Sequence, residues 1–60
     1  MQLITAFYLA TRSEVELRVL FREVSGVLVR TDRGSAERRN ALASLENIAT
    51  EMRDRNDFKL

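Results

Sequence analysis

The residues best suited to chemistry in this chain are basic and lie between positions 30 and 39. Four arginines and one serine make up this group: Arg30, Arg33, Ser35, Arg38 and Arg39. Arginine has a planar guanidinium that binds carboxylate and phosphate groups through paired hydrogen bonds. A serine at the start of a helix leaves backbone N–H groups free to face an anion. We therefore predict a candidate anion-binding site here, for a phosphate group or a nucleic-acid backbone.

Acidic neighbours reduce the positive charge of this cluster. Asp32 and Glu37 lie among the arginines, and the whole chain has ten basic and nine acidic residues, for a formal net charge of +1. Dedicated nucleic-acid-binding domains are usually strongly basic. Arg38 also falls close to the apolar stripe of a predicted helix, where its aliphatic stem can pack. A nucleic-acid-binding or phosphate-binding regulator is therefore the alternative function, not the first one.

Few residues are available for acid–base or nucleophilic catalysis. The chain has no histidine and no cysteine, and Lys59 is its only lysine. Glu14 and Glu16 would lie about 7 Å apart along a strand, a spacing that some glycosidases use. Their alternation with Arg18 is more typical of a solvated strand face. We therefore expect a protein without enzymatic activity, without a cofactor and without a metal ion.

The length of the chain favours association. Sixty residues predict a single domain covering 1–60, and a domain of this size buries only about 60% of its unfolded surface. Small domains often gain stability from disulfides, from metals or from a second subunit. Without cysteine and histidine, the second subunit remains. Since no apolar run approaches the roughly 20 residues of a membrane span, and no basic residue precedes the apolar N-terminus as in a secretory signal, we expect a cytoplasmic protein.

Alternating polarity predicts strands in the first half of the chain. From Glu14 to Arg22 polar and apolar residues alternate with a period of two, which is typical of a strand with one solvated face. The N-terminal segment is rich in β-branched and aromatic residues and apolar on both faces. Another β-branched run follows Gly26, which suits a tight turn. The predicted strands cover about residues 2–11, 14–23 and 27–31.

A helical period replaces this alternation in the last third of the chain. Apolar residues recur at helical spacing from Ala41 to Met52, and Ser35 suits the N-cap of a helix at about residues 35–55. The predicted fold is thus α+β, a three-stranded antiparallel meander followed by one amphipathic helix (βββα). One helix covers only one face of such a sheet. We therefore predict that the second apolar face contacts another subunit in a homodimer.

The apolar faces of these elements supply the candidate residues for the core or the dimer contact. They are Phe7, Leu9, Leu17, Val19, Phe21, Leu42, Leu45, Ile48 and Met52. Asn40 and Ser44 fall beside the helical stripe and are expected to face solvent or a neighbour. The first function that these patterns predict is a small, non-enzymatic, homodimeric interaction domain.

A helical pattern competes with the strands in the middle of the chain. Residues 13–16 match a capping box. A helical stripe follows, formed by Leu17, Leu20, Phe21, Val24 and Leu28. On this alternative the chain is an all-α helical hairpin that dimerises into a four-helix bundle. Against it, Val15 and Val19 would lie on the solvent side, and Gly26 would cost about 1 kcal/mol within a helix.

The order of the predicted elements also resembles a known family. Four segments carry the resemblance: Phe7-Tyr8-Leu9, Leu17-Arg18-Val19, Ser25-Gly26-Val27-Leu28 and Asn40-Ala41-Leu42-Ala43-Ser44-Leu45. Together they resemble the small YegP-like domains of unknown function over most of the chain. Ser25-Gly26 stands where that family has an Asn-Gly turn, and Leu17 and Val19 stand where it has aromatic residues. The resemblance implies a βββα domain that occurs as tandem repeats or dimers, without established catalytic residues.

Overall fold

The structure, a computed structural model, describes residues 1–57, which form three helices and no strand. α1 spans Ala6–Ala10, α2 spans Glu14–Arg30 and α3 spans Ala36–Asp57. α2 and α3 pack against each other as a hairpin, and α1 packs on α3. The molecule is elongated, with extents of 39 × 17 × 17 Å.

The predicted βββα meander is therefore wrong, and the alternative, an all-α helical hairpin, describes the fold. In place of the first strand, at residues 2–11, the chain has an extended segment followed by the short helix α1. In place of the strands at residues 14–23 and 27–31 it has one continuous helix, α2. The βββα arrangement that the resemblance to YegP-like domains implies is likewise absent from the part of the chain described here.

The predicted helix at residues 35–55 corresponds to α3, which begins and ends slightly later along the chain. The single-domain prediction for residues 1–60 includes residues 58–60, which lie outside the described part. Lys59, the one lysine considered as a base, lies there too.

A capping box explains why the middle of the chain is helical. The Ser13 Oγ accepts a hydrogen bond from the Glu16 N–H at 3.1 Å, and the Glu16 Oε1 accepts one from the Ser13 N–H at 3.0 Å. Both N–H groups would otherwise lack a partner at the start of the helix. Leu17 and Val24 then enter the core on the α3 side. Together these interactions outweigh the roughly 1 kcal/mol cost of Gly26 within the helix.

The core is small and is built from all three helices. Among the described residues, five apolar side chains are buried: Leu9, Leu17, Val24, Ala41 and Ile48. Partly buried apolar side chains pack around them: Met1, Ile4, Leu20, Val27, Leu28, Leu45 and Met52. Leu9 is the contribution of α1, so this short helix is part of the core.

Polar side chains along α3 hold the extended N-terminal segment. The fully buried Ser44 Oγ accepts a hydrogen bond from the Ile4 N–H at 2.9 Å. Asn47 Nδ2 donates to the Ile4 carbonyl at 2.9 Å, and Asn40 Nδ2 donates to the Met1 carbonyl at 2.9 Å. Asn40 and Ser44 therefore contact the N-terminal segment of their own chain, which explains why two polar residues lie beside the apolar stripe.

Arg55 connects α1 to α3. Its Nη2 donates to the carbonyls of Leu9 at 3.1 Å and Ala10 at 3.4 Å, which lie at the C-terminal end of α1. Glu51 orients the guanidinium through an Nε–Oε2 contact of 2.8 Å. An isolated helix of five residues is not stable in water. α1 therefore depends on these contacts with α3 and on the burial of Leu9.

Candidate interaction surface

The predicted anion-binding residues lie at the turn between α2 and α3, but several of their polar groups already bond to this chain. Arg38 Nη1 donates to the Leu28 carbonyl at 3.2 Å, at the end of α2. Arg39 Nη1 donates to the carbonyl of Gly34 at 3.2 Å. The Ser35 Oγ accepts from the Arg38 N–H at 3.0 Å. The side chains that would bind an anion are therefore used to cap the end of α2 and the start of α3.

Arg30, Arg33 and Arg39 are exposed and form no ion pair within residues 1–57. Of these three, Arg39 donates to the Gly34 carbonyl, which leaves two exposed arginines, Arg30 and Arg33, without such a bond. Glu37, their acidic neighbour, lies 3.8 Å from the N-terminal amine. The described residues also contain no buried side-chain N or O atom without a hydrogen-bond partner. Two exposed arginines do not enclose an anion, so the arrangement favours helix capping over ligand binding.

The carboxylates considered for catalysis lie in the first turn of α2, not on a strand. Glu14 pairs with Arg18 at 2.8 Å. The pKa of Glu16 lies below its usual range, mainly because the Ser13 backbone N–H donates to its carboxylate, with the Ser13 hydroxyl and the Arg12 charge adding to the effect. Within residues 1–57 no three acidic side chains are grouped so that they could hold a metal ion. Both glutamates therefore stabilise the first turn of α2.

The most unusual feature of the molecule is its exposed apolar surface. Among the described residues, eight large hydrophobic side chains are at least 41% exposed: Leu3, Phe7, Tyr8, Val15, Val19, Phe21, Val29 and Leu42. Single exposed hydrophobic residues are ordinary in soluble proteins, but contiguous ones mark binding surfaces.

Four of the eight lie around one groove, which we call the α1–α2 face. Its exposed apolar members are Leu3, Tyr8, Val15 and Val19. A hollow of about 310 Å³ lies between the N-terminal segment and α2, lined by Leu3, Tyr8 and Leu20 among others. A second hollow of about 210 Å³ is lined by Tyr8, Leu20, Val15 and Val19. Because the two hollows share Tyr8 and Leu20, they form one groove.

Charged side chains border this groove on one side. The Arg12 guanidinium carbon lies 4.8 Å from the centroid of the Tyr8 ring, in cation–π geometry. The Nη1 of the same arginine lies 3.4 Å from the Glu16 Oε2. Tyr8 is thereby held against the edge of the groove. An apolar centre with a charged rim is the usual organisation of a protein–protein interface.

The nine residues predicted for the core or the dimer contact are found in three environments. Leu9, Leu17 and Ile48 are buried, and Leu45 and Met52 are partly buried. The four others are exposed: Phe7, Val19, Phe21 and Leu42. Of these four, Val19 belongs to the α1–α2 face.

Sequence analysis missed Leu3, Tyr8 and Val15 as parts of one surface. The signal for Val15 was present, because a helix through residues 14–30 places it and Val19 on the solvent side. The exposure of these two valines was taken as an argument against a helix. In the structure, the two exposed valines are the part of α2 that contributes to the α1–α2 face.

Comparisons with protein-family models, with curated proteins and with solved structures found no match to this chain. None of the helices described for residues 1–57 has the length and apolarity needed to cross a bilayer.

Proposed function

We propose that this protein is a non-enzymatic interaction domain that forms a homodimer through the α1–α2 face. The observation that carries this proposal is the imbalance between the core and the surface. Five apolar side chains are buried in residues 1–57, while four large ones lie exposed around a single groove. A lone copy leaves this face in water, whereas a second copy covers it.

The elongated shape supports the same proposal. The radius of gyration is 11.9 Å, against about 10 Å for a compact domain of 60 residues. An elongated hairpin buries a smaller share of its surface than a compact domain does. Since even compact domains of this size are marginally stable, burial between two copies adds the apolar contact that the single chain lacks.

The charges at the rim favour a second copy of this chain as the partner. Arg12 and Glu16 provide one charge of each sign on the same edge. In a two-fold dimer, each patch meets the same patch of the other copy. A rim with both signs can therefore be complementary to itself, so two copies can associate without a net like-charge contact.

Sedimentation equilibrium tests this proposal at micromolar protein concentration, where we expect a dimer. Val19→Glu places a charge on the face and should give a folded monomer, because an unpaired carboxylate in an interface is strongly unfavourable. Val29→Glu is the matched control. Val29 lies on the same helix and is 85% exposed but lines neither hollow, so this variant should remain dimeric. A monomeric wild type, or equal behaviour of the two variants, contradicts the proposal.

A further inference from the structure

Glu23 is the one acidic residue of α2 that forms no ion pair within residues 1–57. Glu14 pairs with Arg18, whereas Glu16 pairs with Arg12. On a helix, a side chain faces the residues three and four positions away from it. Around Glu23 these positions hold four uncharged residues: Val19, Leu20, Gly26 and Val27. The helix itself therefore offers this exposed carboxylate no partner of opposite charge.

The position of Glu23 along α2 places it on the α1–α2 face. Val19 lines the hollow of about 210 Å³, and Glu23 follows it by four residues in the same helix. Side chains at this spacing lie on one side of a helix, about 6 Å apart along its axis. Arg12 lines the same hollow from the other end, just before α2 begins. A carboxylate and a guanidinium therefore lie at opposite ends of one apolar strip.

Arg12 retains a donor for a second carboxylate. Its Nη1 lies 3.4 Å from the Glu16 Oε2, and its Nε lies 3.4 Å from the Thr11 Oγ1. Its Nη2 makes no hydrogen bond within residues 1–57. The guanidinium presents its donors as a planar fork that suits carboxylate oxygens. Arg12 can therefore bind a carboxylate of another molecule while it stays over the Tyr8 ring.

A two-fold axis brings these two charged groups together. The α2 wall of the hollow runs from Val15 to Leu20, so its midpoint lies between positions 17 and 18. Arg12 and Glu23 lie on either side of this midpoint, each about 8 Å away along the helix axis. When two α2 helices cross antiparallel with the axis at that point, Arg12 of one copy faces Glu23 of the other. Val15 of each copy then covers Leu20 of the other.

We propose that the homodimer is built on two antiparallel α2 helices, and that Arg12 of each copy forms an ion pair with Glu23 of the other. This inference rests on the proposed homodimer and specifies its orientation. The dimer contains two such ion pairs, one at each end of the apolar strip, and complementary charges fix the register of an interface. A parallel arrangement would place like charges opposite each other at both ends. The charges on this face therefore favour the antiparallel dimer.

Charge reversal tests the ion pair by sedimentation equilibrium. Glu23→Arg introduces two like-charge contacts per dimer and should raise the dimer Kd about 100-fold, at about tenfold per contact. Glu46→Arg is the matched control, since it makes the same change at an exposed glutamate of α3 and should leave the Kd within about twofold. Circular dichroism checks that the variants keep their helices.

Mixing two variants tests whether the pair forms between copies. A dimer of Glu23→Arg with Arg12→Glu has opposite charges at both contacts, whereas each variant alone has like charges at both. The mixture should therefore associate at least about tenfold more tightly than either variant alone.

Cross-linking reports the orientation directly, because the chain has no cysteine of its own. A mixture of Arg12→Cys with Glu23→Cys should react with a short bismaleimide to give a covalent dimer. Either variant alone should give little, because in the antiparallel dimer the two copies of each position lie roughly 16 Å apart along the helix axis. A parallel dimer gives the opposite result, in which each variant cross-links with itself and the mixed pair does not.

The outcomes separate the two proposals. If the wild type is monomeric, both proposals fail. If the wild type dimerises but Glu23→Arg associates as tightly as Glu46→Arg, the ion pair is wrong while the homodimer stands. The same holds if mixing the charge variants restores nothing, or if the cysteine variants cross-link only with themselves. If a monomeric wild type sediments with phosphatidylcholine vesicles, the face binds lipid instead of a second copy, which also overturns the inference.

Discussion

Ser44 shows how a single polar atom orders one end of this molecule. It is the one polar residue that is fully buried within residues 1–57, and its hydroxyl accepts the backbone N–H of Ile4, 40 positions earlier in the chain. A buried N–H without a partner is unfavourable by about 1–3 kcal/mol. The serine therefore determines where the N-terminal segment lies on α3, and with it the shape of the hollow.

Replacing Ser44 should accordingly destabilise the protein. We expect Ser44→Ala to lower the free energy of unfolding by about 1–2 kcal/mol, because the Ile4 N–H loses its acceptor. Urea denaturation followed by circular dichroism measures the change. Thr50→Ala is the control, since Thr50 is an exposed residue of the same helix whose hydroxyl makes no hydrogen bond within the described chain. Equal stability of Ser44→Ala and the wild type would show that this bond contributes nothing.

Glu16 makes the start of α2 sensitive to acid. Its pKa is lowered chiefly by the hydrogen bond from the Ser13 N–H. A lowered pKa in the folded state means that the ionised carboxylate stabilises the protein above the ordinary glutamate pKa. This stabilisation is lost as the pH falls through the lowered value. The lowered pKa of Glu16 therefore predicts that the protein becomes less stable as the pH falls.

The variant Glu16→Gln removes this pH dependence while keeping an oxygen that can accept the Ser13 N–H. The wild type should be more stable than Glu16→Gln at neutral pH, and the difference should disappear as the pH falls through the lowered pKa of Glu16. Urea unfolding at a series of pH values measures it. Glu46→Gln, an exposed change on α3, is the control. A difference that persists unchanged in acid would rule out the carboxylate as its source.

At the scale of helices, α1 is the element that depends most on its neighbours. Arg55→Ala removes the donor to the Leu9 and Ala10 carbonyls. We expect a loss of about 1–2 kcal/mol in the free energy of unfolding, because charged hydrogen bonds of this kind contribute about that much. Faster hydrogen exchange of the Leu9 and Arg12 amides, which close the turns of α1, should accompany it.

Arg53→Ala is the matched control for that substitution. Arg53 is an exposed arginine of the same helix, and its ion pair with Asp54 is long, at 3.9 Å. Such surface pairs contribute little. If both variants exchange and unfold alike, Arg55 does not stabilise α1.

The element that sequence analysis placed wrongly is α2, for a definite reason. In residues 14–22 the alternation of polar and apolar side chains satisfies a strand, while Leu17 and Val24 also satisfy a helical stripe. The capping box at Ser13 and Glu16 was visible in the sequence. The sequence did not show that a helix would be more stable here than a strand. The packing of α2 on α3 stabilises the helix, and this packing involves residues that are distant in the sequence.

For the molecule as a whole, association and stability are coupled. If folding includes dimerisation, each tenfold rise in protein concentration stabilises the dimer by about 1.4 kcal/mol. For two chains of this length, the melting temperature should then rise by roughly 5 °C per tenfold. Calorimetry at several concentrations measures this shift. Val19→Glu should reduce it strongly, whereas a melting temperature of the wild type that is independent of concentration would speak against a dimer.

Local interactions were readable from the sequence by itself. They include the amphipathic last helix and the serine caps at Ser13 and Ser35, since each depends on residues within a few positions of one another. The near-neutral charge follows from the composition alone. The tertiary structure alone decided which face of α2 is buried and where the N-terminal segment lies. Those choices depend on contacts such as Ile4 with Ser44, whose partners are 40 positions apart. The groove exists only because such distant contacts leave α1 and α2 side by side with their apolar residues uncovered.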